Sequence, residues 1–142
     1  MRHRVCIADD EPLVRERLRT LLAERNDVEL VGESEDGESA LHAIRTLQPD
    51  IVLLDVQMPE LDGFEVADAL PPDSKVAIIF VTAYHEYAVR AFDINAIDYL
   101  LKPIEPVRFH AAIERARTRI GGPDARETPQ LAALLTELRA LR

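Results

Sequence analysis

Apolar residues fall along the chain in two spacings. The first is a set of short runs rich in Val and Ile: Arg4–Ala8, Val28–Val31, Ile51–Asp55, Val76–Thr82 and Ala96–Leu101. In Ile51-Val52-Leu53-Leu54 and in Val76-Ala77-Ile78-Ile79-Phe80-Val81 every position is apolar. A strand covered on one face would alternate, so unbroken runs predict parallel strands covered on both. The second spacing is helical. Leu13, Val14, Leu18, Leu21 and Leu22 make one stripe behind Pro12, a residue suited to a first helical position. Ala40, Leu41, Ile44 and Leu47 make a second, stopped by Pro49. A third, short helix runs from about Gly63 to Leu70 and breaks at Pro71-Pro72. Ala88, Val89 and Phe92 mark a fourth. Phe109, Ala112, Ile113, Ala116 and Ile120 mark a fifth, with Pro106 near its start.

Strand and helix thus alternate five times with ordinary connection lengths. That order predicts an α/β sandwich built on a parallel sheet with right-handed crossovers. Beyond Ile120 the pattern changes: Gly121-Gly122-Pro123 breaks the last helix and Asp124–Pro129 is polar. Leu131, Leu134, Leu135, Leu138 and Leu141 then form a stripe on a segment too short to fold alone. Residues 1–120 are therefore expected to be one domain. Residues 121–142 are expected to be a linker and the start of a helix leading to an absent or downstream output domain, or else a dimerising helix; a disordered tail is the plainer alternative.

Composition narrows the function classes. The 142 residues carry a formal net charge of −9, and the acidic excess lies in residues 1–119. An acidic domain argues against a free-standing nucleic-acid binder, which needs a basic face to displace counterions. An apolar content of 47% argues against intrinsic disorder. The longest apolar runs are too short for a membrane span, and no secretory leader is visible before the first strand. A single cysteine, Cys6, sits among apolar neighbours and reads as a buried, reduced thiol. The expectation is a cytoplasmic domain without membrane contact.

Polar residues stand at the carboxyl ends of four strands: Asp9-Asp10, Asp55, Thr82 and Lys102-Pro103. In an open α/β sheet these ends share one edge, where ligands bind. If the first and third strands are neighbours, Asp9, Asp10 and Asp55 converge. Clustered carboxylates repel unless a cation joins them, and oxygen-only ligands suit a hard divalent ion, Mg²⁺ above all. Lys102 adds a point charge and Thr82 a hydroxyl, both suited to phosphoryl oxygens. The set reads as a nucleophilic carboxylate, a metal and two oxygen-binding groups.

Four segments carry a resemblance: Ile7-Ala8-Asp9-Asp10-Glu11-Pro12, Leu54 through Gly63, Val81-Thr82-Ala83 and Asp98-Tyr99-Leu100-Leu101-Lys102-Pro103. In that order they resemble the receiver domain of a bacterial two-component response regulator, over roughly residues 3–119. The resemblance implies a flavodoxin-like sheet of order 2-1-3-4-5, for which a receiver is a standard example. It implies that Asp55 accepts a phosphoryl group from a sensor histidine kinase. It assigns Mg²⁺ to Asp9, Asp10, Asp55 and the backbone carbonyl of Gln57, and phosphoryl contacts to Thr82 and Lys102. Ala83 matches a small position that keeps the site accessible. Thr82 and Tyr99 match a pair that switches on phosphorylation. It also makes Lys102–Pro103 a candidate cis peptide. A receiver of this kind is not an enzyme acting on a metabolite, but it catalyses its own phosphorylation and dephosphorylation.

A finer resemblance lies in residues 83–92 and 95–103, which are similar to receivers of the LytR/AlgR class. These precede a LytTR DNA-binding domain, so DNA contact is expected only through an output domain. The resemblance further implies a homodimer through the fourth helix, fifth strand and fifth helix, where Arg108, Arg115, Arg117 and Arg119 stand ready to pair with acids or to form a solvated face.

Each residue alone has a blander reading. Asp9 and Asp10 fit helix capping, Thr82 an ordinary strand position, Lys102 a surface lysine, and Tyr99 a half-buried strand aromatic. His3, His42, His85 and His110 lack metal-ligand spacing. Among other functions, an aspartate-nucleophile phosphohydrolase needs a second acid two residues after the nucleophile, where Gln57 stands. A nucleotide or flavin binder wants a Gly- or Ser-rich loop where Asp-Asp-Glu-Pro stands. A phosphate-independent interaction module is the remaining alternative.

Overall fold

In the computed structural model, residues 2–84 and 96–121 are described. Five strands, β1 (His3–Ala8), β2 (Val28–Ser34), β3 (Ile51–Asp55), β4 (Ala77–Thr82) and β5 (Asp98–Leu101), form one parallel sheet of order β2-β1-β3-β4-β5. This is the flavodoxin-like order expected. Between them lie α1 (Pro12–Ala23), α2 (Gly37–Leu47) and α3 (Gly63–Asp68), and after β5 comes α4 (Pro106–Gly121), the fifth helix of the sequence pattern. The helix expected around Ala88–Phe92 and the stripe from Leu131 to Leu141 lie outside the described residues.

The unbroken apolar runs have a direct explanation. Successive side chains on a strand point to opposite faces. Val5, Ile7, Ile51, Leu53, Ile79 and Val81 pack with Leu18 and Leu21 of α1 and Phe109, Ala112 and Ile113 of α4. Cys6, Ala8, Val52, Leu54 and Phe80 pack on the other side with Ala40 and Ile44 of α2 and Phe64 and Val66 of α3. Both faces are dry, so the strands need no polar alternation. Phe64 and Phe80 meet with ring centroids 4.9 Å apart. Cys6 is buried, and burial pushes its thiol above the usual range.

Local signals set the boundaries. The Asp36 side chain accepts from Ser39 N–H at 2.7 Å to start α2. Gln48, at φ 47°, ends it in a left-handed turn before Pro49. A capping box of Asp62 and Glu65 opens α3. That helix stops at Asp68, two residues short of the expected Leu70, because the Leu70 N–H turns to Ala67 O in a tighter turn. β2 runs three residues past its expected end. Its pairing with β1 skips Val31, so a bulge lets Gly32, Glu33 and Ser34 continue the strand opposite Cys6, Ile7 and Ala8. A glycine followed by a glutamate hid that extension.

Candidate phosphoryl-transfer site

The sheet order puts β1 beside β3 and β3 beside β4, so the ends of these strands share one edge. Asp9 follows β1, Asp55 closes β3, Thr82 closes β4 and Lys102 follows β5. Asp9, Asp55 and Thr82 are almost wholly buried, at 0%, 2% and 1% exposure. Asp10, Glu11, Gln57 and Ala83 are exposed around them. Asp9, Asp10, Glu11 and Asp55 each bring a carboxylate oxygen to within 4.8 Å of the others. The convergence expected of Asp9, Asp10 and Asp55 is therefore present, with Glu11 added.

Short local bonds aim these groups. Asp9 Oδ1 accepts from the Glu11 N–H at 2.8 Å, and Asp55 Oδ1 from the Gln57 N–H at 3.2 Å. The Thr82 hydroxyl accepts from the Tyr84 N–H at 3.1 Å. The carbonyl of Asp9 accepts from Arg15 Nη1 at 2.6 Å. The Lys102–Pro103 bond is cis, and the Lys102 side chain enters the acid cluster. Its ammonium stands 2.7 Å from Glu11 Oε1, 3.2 Å from Asp9 Oδ2 and 3.5 Å from Asp55 Oδ2. Asp9 Oδ2 is buried and accepts no well-angled hydrogen bond; its near neighbour is that ammonium.

The electrostatics follow from burial and crowding. Desolvation, reinforced by the charge of Asp9, pushes the Asp55 carboxyl up to about 7 against the pull of Lys102. Burial likewise raises Asp9, against the Glu11 N–H and Lys102. For Lys102 burial works against the charged form, but the bond to Glu11 and the charges of Asp55 and Asp9 outweigh it and raise its pKa. One ammonium does not balance these acids.

A cleft of about 450 Å³ lined by Asp10, Val56, Gln57, Met58, Pro59, Asp62 and Phe64 opens beside the carboxylates. At the start of α3, Gly63 packs against the end of β3, where a Cβ would lie 2.3 Å from the Asp55 carbonyl oxygen. Glu11 and Gly63 lie within the sequence motifs, which assign neither a role at the site. The acid run Asp9-Asp10-Glu11 was the available signal for the first; nothing short of the close approach signals the second.

Tyr99 is buried on β5, at 5% exposure, rather than half-exposed. Arg108 lies over its ring, 5.6 Å from the centroid, and donates to its carbonyl at 2.7 Å. Three of the four arginines considered for a dimer contact have partners within the chain. Arg108 binds Asp98, Arg115 donates to the Ile97 carbonyl at 3.0 Å, and Arg117 pairs with Asp27 and Glu114. Asp9 and Asp10 do not cap α1, whose N-cap is Glu11. Among the described residues no helix is long and apolar enough to cross a membrane.

Fold and site together define a doubly wound sheet with an acidic pocket at its carboxyl edge. Residues 5–114 match the response regulator receiver domain family, and the chain belongs to it. It is 42% identical over 127 residues to the transcriptional regulatory protein BtsR of Escherichia coli K12, covering 89% of this chain and 53% of that protein. It is 49% identical over 112 residues to an uncharacterized response regulatory protein of Yersinia pestis, covering 79% and 47%. The chain thus spans about half the length of these curated relatives. Among solved structures, the receiver domain of AraT, a response regulator from Geobacillus stearothermophilus, superposes with a TM-score of 0.76 at 32% identity, covering 85% of this chain and 97% of that one.

Proposed function

We propose that this domain is a phosphoacceptor switch, with Asp55 taking a phosphoryl group from the phosphohistidine of a sensor kinase. The observation that carries the reading is the meeting of two buried carboxylates, Asp9 and Asp55, with the Lys102 ammonium at the carboxyl edge of the sheet. A structural salt bridge needs one acid per cation and gains nothing from a second desolvated carboxylate.

The donor set fits Mg²⁺. It is all oxygen, it carries excess negative charge, and Asp9 Oδ2 is buried without a well-angled hydrogen bond. Asp9, Asp10, Asp55 and the Gln57 carbonyl would hold the ion. Bound there, it would neutralise charge on the transferred phosphoryl oxygens.

In the reaction an Asp55 oxygen attacks phosphorus in line, the phosphorus–nitrogen bond breaks, and the histidine leaves with its electron pair. The product is an acyl phosphate on Asp55. Lys102 and the Thr82 hydroxyl bind its oxygens, and exposed Ala83 leaves room for a donor or for hydrolytic water. Movement of Thr82 toward the phosphoryl group frees space for Tyr99, which repacks β5 against α4 and changes the surface read by a second copy or an output domain. Residues 1–120 are the switch, and residues 121–142 lead toward that output. The resemblance of residues 83–92 and 95–103 to the LytR/AlgR class supports a LytTR-type DNA-binding output and a cytoplasmic transcription regulator working as a dimer.

The deciding experiment is Asp55→Asn incubated with acetyl phosphate and Mg²⁺ and read by intact mass. Wild type should gain one phosphoryl group and the variant none. Full labelling of the variant removes Asp55 from the role. Steady release of inorganic phosphate from small phosphomonoesters would point instead to a phosphohydrolase. Light scattering with and without beryllofluoride tests the dimer.

A further inference from the structure

Glu11 holds the N-cap position of α1, and its side chain makes no capping bond. The carboxylate turns instead to Lys102, 91 residues away in sequence. Of three carboxylates around that ammonium it is the nearest, at 2.7 Å against 3.2 Å for Asp9 and 3.5 Å for Asp55. It is also the only one of the three in water, with 57% of its side chain exposed against 1% and 3%.

Two opposed effects set where the ammonium rests: attraction to the desolvated acids strengthens as the local dielectric falls, and loss of its own hydration opposes deeper entry. A carboxylate at the mouth tips that balance outward. From the outward displacement we infer that Glu11 is a positioning residue: it holds Lys102 at the mouth of the pocket, off the Asp9–Asp55 pair, until a phosphoryl group draws the lysine away. The inference rests on the phosphoacceptor reading of the site. Its effect is to keep the inner carboxylate oxygens available to a cation. Without Glu11, Lys102 sinks onto Asp9 and Asp55 and competes with Mg²⁺ for them.

The test is a Mg²⁺ titration followed by backbone amide NMR shifts at Asp10 and Gln57. Glu11→Gln keeps the shape, removes the charge and touches no capping bond. It should weaken Mg²⁺ binding about five-fold or more, the scale of a modest ion-pair competition. The same substitution made beside Lys102→Met should change Mg²⁺ affinity by less than about two-fold, because no lysine remains to be held. Equal weakening in both backgrounds would mean that Glu11 acts through its own charge, which overturns the proposal. So would Mg²⁺ binding that Glu11→Gln leaves untouched. The pair itself is read without metal from the Lys102 ammonium NMR signal, which should move in Glu11→Gln; a signal that stays put also overturns it. Wild-type protein that shows the pair but takes up no Mg²⁺ sinks the phosphoacceptor reading, and the role of Glu11 with it.

Discussion

The guanidinium of Arg108 closes on the buried carboxylate of Asp98 at 2.6 and 3.2 Å, fastening α4 to the first residue of β5. Asp98 is 3% exposed and also accepts the Tyr99 N–H at 2.8 Å. The same arginine roofs Tyr99 and binds its carbonyl, so one side chain ties the last helix to the strand that carries Tyr99 and leads to Lys102.

Arg108→Ala should therefore lower stability by about 2–3 kcal/mol, less than for a fully enclosed pair because the arginine side chain is 38% exposed. Urea unfolding measures it. Adding Asp98→Asn should restore part of the loss, since the stranded charge then disappears. A loss below about 0.5 kcal/mol, the size of ordinary surface effects, would show that water already serves Asp98 well.

Asp55 gives the metal-free protein a distinctive response to pH. Folding raises its carboxyl from the ordinary 3.8 to about 7. Between those values the folded state holds a proton that the unfolded chain has lost, so stability falls as pH rises through the window and levels off above it. Asp55→Asn should remove most of that slope, leaving the part that buried Asp9 contributes, and be more stable above pH 7, by on the order of 2–3 kcal/mol. Urea midpoints in chelator across this range check both statements. A wild-type slope shared in full by the variant would assign the titration to another group.

Gly63→Ala tests how tightly the start of α3 is fitted against the end of β3. A methyl group would fall 2.3 Å from the Asp55 carbonyl oxygen and 3.1 Å from the Val56 Cα. The nearest atoms are all backbone of Asp55 and Val56, so no flexible side chain is there to yield. The substitution should cost about 2–3 kcal/mol and displace Asp55, so labelling by acetyl phosphate should fall together with the thermal midpoint. Full labelling at unchanged stability would show that α3 can shift without disturbing β3.

The sheet was legible in the sequence because burial on both faces leaves unbroken apolar runs, a pattern that survives without any knowledge of the partners. Ile51–Asp55 was read to its exact ends for that reason. β2 was cut short because Gly32 and Glu33 look like a turn until the bulge at Val31 is seen. The strand-end acids and Lys102 were also legible, since the topology gathers carboxyl ends whatever the loops do. What the chain alone concealed were contacts between distant segments. Nothing local tells Glu11 that its partner is Lys102, or tells Asp98 that Arg108 waits ten residues on to neutralise it. The arginines of the last helix looked free for a second subunit for the same reason: their acceptors, Asp98, the Ile97 carbonyl and Asp27, lie on other elements.

The span between Glu11 and Lys102 carries a consequence for synthesis. Translation delivers both buried acids well before their counter-ion, because Lys102 arrives after β1 to β4 have been made. A nascent chain paused short of that residue holds Asp9 and Asp55 without the Lys102 ammonium beside them. On the ribosome, then, closing of the carboxyl edge waits for the last strand, and the pocket matures only when the domain is nearly whole.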